Sequence, residues 1–181
     1  HTRGIEHWKK EIIAGLEKVL EPEGIYERSD ISVRRIEMLE ERSGEISGTV
    51  PALITIEENG FSFLVDVRHG QKTGFFLDQR DKRHAFMKYT KDQAVLNCFS
   101  YTGGFTVYAL AGRASSIVNV DTSASALELA QENIKLNGLD IGRCIFICDD
   151  VKKYLRDTPE TFNAIVLDPP AFIKDRRKKH E

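Results

Sequence analysis

The sequence predicts an α/β fold with a Rossmann-like, doubly wound parallel sheet, preceded by a small α+β, β-rich region. From about Lys82 onward, short apolar segments alternate with helical patterns, which is typical of parallel strands connected by helices. Before that point, the apolar residues first recur at helical spacing and then fall in short β-rich segments. We therefore expect an N-terminal helix and a small β-rich region over residues 1–81, and a Rossmann-like domain, truncated at its C-terminal side, over residues 82–181.

Composition narrows the class of protein. The chain has 181 residues, of which 41% are apolar and 30% are charged, and this suits a soluble globular protein. No apolar run approaches the roughly 18 residues that would suggest a membrane span, and no secretory signal is visible. The net charge of −2 gives no overall attraction to nucleic acid, so any such attraction must come from local patches.

The three cysteines, Cys98, Cys144 and Cys148, each lie in an apolar run that reads as a strand. Cys144 and Cys148 lack a flanking histidine pair or a second cysteine pair, so we expect no metal site. A reduced, cytoplasmic protein is the simplest interpretation.

The first half of the chain is predicted from its periodicity. One helix is expected to end at Pro22, because a single apolar stripe recurs at steps of three and four: Ile5, Trp8, Ile12, Leu16 and Leu20. Residues 25–77 are expected to form an antiparallel or mixed β unit. Within it, residues 52–56 and 61–67 are β-rich, and Glu58-Asn59-Gly60 between them has hairpin chemistry.

The second half alternates strands and helices. Ser123 is a plausible N-cap for the helix with the stripe Ala126, Leu127, Ala130 and Ile134, and Asn137-Gly138 is typical of its C-terminus. Two further helices are predicted at residues 105–110 and 151–155. Strands are predicted at residues 94–99, 117–120, 144–148 and 164–167.

The turn after the first of these strands is the first candidate site. Glycines there let a ligand approach the backbone closely, and the following helix N-terminus favours a carboxylate or a phosphate. The run lacks both the G-x-G-x-x-G fingerprint and the Lys-Ser/Thr ending of a P-loop, and a purely structural turn is the alternative. Its residues are Phe99, Ser100, Tyr101, Thr102, Gly103 and Gly104.

Acidic residues follow the next two strands. Asp121 is placed to accept both hydroxyls of a ribose, or alternatively to cap the next helix. In Asp149-Asp150, one carboxylate is expected to accept a hydrogen bond from an adenine amino group while the other caps the helix at Val151. We favour Asp150 for the adenine.

The fourth strand ends in Asp168-Pro169-Pro170-Ala171-Phe172. The two prolines stiffen the turn, so that it can direct the Asp168 carboxylate at a flat substrate on which Phe172 could stack. The alternative is a strand-ending turn with Phe172 in the core. All four candidate sites follow the carboxyl ends of strands, where ligands of open α/β sheets bind.

Together these motifs resemble the class I S-adenosylmethionine (SAM) methyltransferases, and more closely the bacterial 23S ribosomal RNA cytosine-C5 methyltransferase family. The resemblance covers roughly residues 61–172 and depends on residues 73–80, residues 97–105, Val120-Asp121, Asp149-Asp150-Val151 and residues 168–172.

The resemblance implies SAM as the cofactor. Its methionine end would meet the loop 99–104, with Asp121 at the ribose and Asp150 at the adenine. Gln79 and Arg80 would lie beside the cofactor, and Asp168 would be a catalytic residue facing the target base. Pro169, Pro170 and Phe172 would contact that base.

The resemblance also implies parts outside this chain. Such enzymes carry an RNA-binding PUA domain before the β-rich region. They also carry, on a later strand, a cysteine that attacks cytosine C6, so that C5 becomes an enamine carbon able to take the methyl group. Cys98 is not a substitute for that nucleophile, since it is expected inside the strand that precedes the cofactor loop.

The expected partner is ribosomal RNA, and a homodimer is left open. A basic cluster after the Pro-Pro turn could neutralise phosphates, although a solvated loop is equally consistent: Lys174, Arg176, Arg177, Lys178 and Lys179.

Three other functions compete with this prediction. An enzyme that methylates a base amino group, such as guanine N2, would use a similar Pro-Pro-aromatic turn, although Ala171 intervenes here. A nicotinamide-dependent oxidoreductase is compatible with the position of Asp121. A non-catalytic RNA-binding module could retain the same fold.

Overall fold

The computed structural model describes residues 2–30 and 33–169, which fall into two units of contacting residues. The first unit comprises His1–Ile54 and Val65–Phe75, and the second comprises Thr55–Leu64 and Phe76–Glu181. This division differs from the predicted boundary between residues 81 and 82, because the segment Thr55–Leu64 groups with the second unit.

The first unit begins with two short helices rather than the single predicted helix, so that prediction is wrong. The break lies at Trp8, whose φ of −93° and ψ of 10° depart from helical values. Strands β1 and β2 pair antiparallel, from Gly24 opposite Gly48 to Ser29 opposite Arg42. The elements are α1 (Arg3–His7), α2 (Lys9–Leu20), β1 (Gly24–Ser29), α3 (Val33–Ile36) and β2 (Arg42–Gly48).

The predicted apolar stripe lies on the surface of this unit. Neither α1 nor α2 contributes a buried residue. Ion pairs connect the helical segment to the rest of the unit: Lys9 with Glu27 at 2.6 Å and the buried Arg34 with Glu6 at 3.0 Å. The stripe residues Ile5, Trp8, Ile12, Leu16 and Leu20 are 39% to 65% exposed.

A hairpin follows, formed by β3 (Ile54–Glu58) and β4 (Phe61–Val65). Its turn is the predicted one, since Asn59 and Gly60 have φ of 51° and 83°, as a type I′ turn requires. Within the described residues, β3 and β4 form a two-stranded sheet separate from that of β1 and β2, so the predicted β-rich region consists of two small sheets.

The 3₁₀ helix Leu77–Gln79 leads into α4 (Arg80–Met87), a helix that the sequence pattern did not predict. This helix is mostly polar, and its buried residue is the charged Arg83. An apolar stripe of the usual kind is therefore missing from the segment.

The second unit contains the predicted parallel sheet, which confirms the α/β fold class. Within the described residues it has four strands: β5 (Ala94–Cys98), β6 (Ser116–Asp121), β7 (Cys144–Cys148) and β8 (Ala164–Leu167). Their order in the sheet is β7-β6-β5-β8, and every neighbouring pair is parallel. The intervening helices are α5 (Gly104–Ala111), α6 (Ala124–Leu136) and α7 (Val151–Asp157).

Local signals place α6 as predicted. The Ser123 hydroxyl accepts a hydrogen bond from the Ala126 amide at 3.2 Å, and Asn137 is the C-cap, followed by Gly138 at a φ of 63°. The stripe residues Ala126, Leu127, Ala130 and Ile134 are all buried.

The sheet contributes its own buried cluster, in which Leu96, Val118 and Val120 pack with Val151 of α7. Across residues 2–30 and 33–169, no helix combines the length and apolar character that crossing a membrane requires.

Candidate functional site

The carboxyl ends of the four strands meet at one edge of the sheet. Cys98, the last residue of β5, is paired with Val120 on one side and with Leu167 on the other, and Asp121 is paired with Cys148. Backbone bonds continue these alignments past the strands, from Ser100 N to Val120 O at 3.1 Å and from Asp149 N to Asp121 O at 3.1 Å. The structure therefore brings the predicted loop, Asp121, Asp149-Asp150 and Asp168 to one rim.

The loop after β5 is wound tightly at the start of α5. Phe99, Tyr101 and Gly103 all have left-handed backbone conformations, with φ of 55°, 48° and 76°. A Cβ at Gly103 would lie 2.8 Å from the Ala130 Cβ, and one at Gly104 would lie 3.2 Å from the Arg83 Cδ. Packing against protein neighbours is thus one reason for both glycines, and the predicted close approach of a ligand stays a prediction.

Asp121 holds this loop in place. Its Oδ2 accepts a hydrogen bond from the Tyr101 amide at 2.8 Å, and its Oδ1 accepts one from the Ser123 amide at 3.0 Å. The side chain is buried, yet each carboxylate oxygen has a second lone pair that a ribose hydroxyl can use. Ser123 is the N-cap of α6, and Asp121 takes part at this helix end only through its bond from the Ser123 amide.

The two acidic residues after β7 have different contacts. Asp150 is the N-cap of α7, because its Oδ1 accepts from the Lys153 amide at 2.9 Å. Asp149 pairs with the Lys153 ammonium at 2.7 Å, and this hydrogen bond lowers the pKa of the Asp149 carboxyl. The expectation that Asp149 is the cap is therefore wrong. The second oxygen of Asp150 is still able to accept from an adenine amino group, which stays a prediction.

Asp168 at the end of β8 contacts a residue that is distant in the sequence. The Gln79 side-chain amide donates from Nε2 to Asp168 Oδ2 at 3.0 Å. Arg80 instead donates to Asn59 Oδ1 in the hairpin turn, at 3.1 and 3.0 Å, so its guanidinium is engaged there. Pro169 is exposed directly after Asp168. Pro170, Phe172 and the predicted basic cluster lie outside the described residues.

Two polar atoms near this rim suit a polar ligand. Ser100 Oγ and Gln79 Oε1 are buried and have no hydrogen-bond partner within the described part of the chain. Buried polar atoms without partners are costly, and in functional sites they are commonly satisfied by a bound molecule. Together with the Asp121 carboxylate and the N-terminus of α5, they offer the donors and acceptors that an amino acid linked to a nucleoside requires. Within residues 2–30 and 33–169, no group of acidic, histidine or cysteine side chains could hold a metal ion.

Behind the rim lies a buried polar cluster that the sequence did not reveal, formed by Glu58, Arg83 and Tyr108, to which the exposed Asn59 donates a hydrogen bond. Arg83 donates two hydrogen bonds to the Glu58 carboxylate, at 2.8 and 2.7 Å, and a third to Phe76 O at 3.0 Å. The Tyr108 hydroxyl donates to Glu58 at 3.0 Å and accepts from Asn59 at 2.8 Å. Burial, with the bond to Glu58, raises the pKa of Tyr108 to about 12.

All three cysteines lie in strands, as predicted from the sequence. Cys98 is fully buried in β5, and this burial raises the pKa of its thiol to about 11. Burial likewise raises the pKa of Cys144, at the amino end of β7, to about 12. Cys148 is exposed at the carboxyl end of β7, and its thiol contacts Thr122 O at 3.5 Å. Three strand spacings, or about 14 Å, separate β7 from β8 and therefore Cys148 from Asp168.

Comparison with known proteins gives a consistent result. A sequence profile described as S-adenosylmethionine-dependent methyltransferase matches residues 35–177. The protein named ribosomal RNA large subunit methyltransferase I from Aeromonas salmonicida is 53% identical over 174 residues, which is 93% of this chain and 44% of that protein. The protein of the same name from Escherichia coli is 48% identical over 179 residues, 97% of this chain and 45% of its own length.

A solved structure extends the comparison to three dimensions. A protein assigned as a methyltransferase and complexed with SAH superposes with a TM-score of 0.79 at 30% identity, over 96% of this chain and 45% of that one. The chain thus spans about half the length of the relatives and of the structure that it matches.

Proposed function

Since the chain belongs to the S-adenosylmethionine-dependent methyltransferase family, we propose that it forms the cofactor-binding part of an enzyme that methylates large-subunit ribosomal RNA. We further propose that the acceptor is C5 of a cytosine in 23S ribosomal RNA, and that the enzyme acts in the cytoplasm. The names of the Aeromonas and Escherichia relatives support the RNA class.

The single observation that carries the proposal is the order of the strands. Along the rim, β7, β6, β5 and β8 succeed one another, and they end in Asp150, Asp121, the loop 99–104 and Asp168. The cofactor has a matching chemical order: adenine, ribose, the methionine part and then the methyl group beyond the sulfur. One extended molecule laid along the rim meets each group in turn, as expected for ligands of open α/β sheets.

Each part of the rim has a separate task in this proposal. The Asp121 carboxylate accepts the ribose hydroxyls, and the Ser100 hydroxyl and the first amides of α5 bind the methionine carboxylate. The adenine amino group donates to Asp150. The bound cofactor supplies a methyl group on a positively charged sulfur, and the protein supplies the placement of that group against the base.

Asp168 is the residue that we assign to the target base. Cytosine C5 is a weak nucleophile until a thiolate adds to C6, and hydrogen bonding at N3 stabilises the charge that develops. We place that thiolate outside residues 1–181, because Cys98 and Cys144 have raised pKa values and Cys148 lies about 14 Å from Asp168.

The test is methyl transfer from labelled cofactor to unmodified large-subunit ribosomal RNA by the full-length enzyme that contains this chain and by its Asp168→Ala variant. We expect the variant to lose at least about 100-fold in turnover, whereas its affinity for S-adenosylhomocysteine stays within about threefold of wild type. Asp157→Ala, which removes an exposed carboxylate from the end of α7, is the matched control. Normal turnover by Asp168→Ala would refute its role. A methyl group on an exocyclic amine instead of C5 would refute the proposed acceptor.

A further inference from the structure

The side-chain amide of Gln79 is buried and hydrogen-bonds to the Asp168 carboxylate through one end only. Gln79 is 9% exposed, and its Nε2 donates to Asp168 Oδ2 at 3.0 Å. Its Oε1 is fully buried and has no partner among the described residues. A buried amide whose N–H donates a hydrogen bond while its oxygen accepts none indicates a role beyond packing.

The orientation of this amide follows from electrostatics. If the side chain were rotated by 180°, Oε1 would face the Asp168 carboxylate, and two acceptors would oppose each other across about 3 Å. The NH₂ group therefore faces Asp168, and the oxygen faces the opposite side. The unpaired acceptor is thus a property of the site.

The backbone at Gln79 is held from two sides. The Gln79 amide donates to Phe76 O at 3.1 Å, and the same carbonyl accepts from Arg83 at 3.0 Å. Arg83 is in turn fixed by its two hydrogen bonds to the buried Glu58 carboxylate. The 3₁₀ turn that presents Gln79 is therefore attached to the buried polar cluster, which suits a residue that must set the position of another.

We propose that Gln79 is a positioning residue for Asp168: its N–H end fixes the carboxylate against the target base, and its Oε1 accepts a hydrogen bond from an N–H group of a bound ligand. This inference rests on the proposed function, because it assigns Asp168 to the base. Two N–H groups share the required chemistry, namely the α-ammonium of the methionine part of the cofactor and the exocyclic amine of the base.

Two substitutions separate the two ends of the amide. Gln79→Met keeps the length of the side chain and removes both the donor and the acceptor. Gln79→Glu keeps an acceptor oxygen and removes the N–H donor. Gln93→Met is the matched control, since Gln93 is a glutamine just before β5, at the opposite edge of the sheet, and its amide donates to Lys91 O at 3.0 Å. The variants are made in the full-length enzyme, and the readouts are kcat and KM for methyl transfer to ribosomal RNA, calorimetric affinity for S-adenosylhomocysteine, and the melting temperature.

We expect both Gln79 variants to lower kcat by about 10- to 100-fold, the usual effect of losing a hydrogen bond to a charged group. The melting temperature should stay nearly unchanged in Gln79→Met and should fall in Gln79→Glu, which opposes a second carboxylate to Asp168. Gln93→Met should match wild type. If Gln79→Met loses S-adenosylhomocysteine affinity and Gln79→Glu keeps it, the donor to Oε1 is the ammonium. If both keep that affinity and Gln79→Met alone raises the KM for RNA, the donor is the base.

Wild-type kcat in Gln79→Met would overturn the inference while leaving the proposed function intact. An equal loss of S-adenosylhomocysteine affinity in both variants, without a fall in kcat, would also overturn it. Absence of methyl transfer by the wild-type full-length enzyme would instead refute the proposed function, and the inference with it.

Discussion

The rim at the carboxyl ends of the strands and the buried polar cluster behind it differ in whether their polar groups have hydrogen-bond partners. In the cluster, the buried side chains of Glu58, Arg83 and Tyr108 satisfy one another through hydrogen bonds, and the exposed Asn59 adds a further bond to the Tyr108 hydroxyl. At the rim, a few residues away, Gln79 Oε1 and Ser100 Oγ are equally buried and lack partners in the described part of the chain.

This difference distinguishes polar groups that stabilise the fold from polar groups that are available to bind a ligand. A fully satisfied buried network rigidifies a fold, whereas an unsatisfied buried group lowers stability unless something binds it. The two regions are also connected, because the Arg83 side chain occupies the space beside Gly104, 3.2 Å from where a Cβ would lie, and donates to the Phe76 carbonyl that also accepts from the Gln79 amide. We infer that the cluster fixes the backbone of the rim, and that a bound ligand satisfies the unpaired polar atoms of the rim.

The largest effect on stability is expected from a substitution in the buried polar cluster. Arg83→Met leaves the Glu58 carboxylate buried without its partner, and this should lower the free energy of unfolding by about 3–5 kcal/mol. Urea denaturation of the variant measures the loss. Lys82→Met, at the exposed neighbouring position, is the control and should change little. A loss in Arg83→Met no greater than in Lys82→Met would show that the cluster does not stabilise the fold.

A smaller effect is expected at the glycine where the loop joins α5. Gly103→Ala must adopt a φ of 76° and place a Cβ 2.8 Å from Ala130, so it should cost about 2–3 kcal/mol. Gly138→Ala has a similar φ of 63° but meets nothing within 4 Å, and it should cost only about 1 kcal/mol. Thermal unfolding of both variants compares them directly. Equal costs would mean that packing against α6 is not what requires glycine at position 103.

The smallest effect concerns the rim alone. Asp121→Asn keeps an oxygen for one of the two backbone amides but weakens both the loop and the proposed ribose contact. We expect the affinity for S-adenosylhomocysteine to fall by about tenfold, roughly 1.4 kcal/mol, in calorimetry. Asp157→Asn is the control on the surface of α7. Unchanged affinity in Asp121→Asn would exclude its proposed role at the ribose.

Local signals explain which parts of the fold could be predicted from the sequence. The four parallel strands are short apolar runs, and α6 carries its cap at Ser123 and its stop at Asn137-Gly138, so each is specified by residues close together in the chain. The Asn59-Gly60 turn was predictable for the same reason.

The features that were missed depend on distant residues. Helix α4 buries Arg83, and that burial requires Glu58, 25 positions earlier in the chain. Gln79 and Asp168 are 89 positions apart, so no local pattern could join them. The choice of Asp150 rather than Asp149 as the cap of α7 depended on the direction of two adjacent side chains, which sequence spacing does not determine.

The most direct test is a crystal structure of the protein with S-adenosylhomocysteine bound. We expect one ligand along the rim, with adenine at Asp150, ribose at Asp121, the amino-acid part against the loop 99–104 and the sulfur directed toward Asp168. A ligand bound away from these strand ends, or one lying along the rim in the reverse direction, would contradict the proposed site.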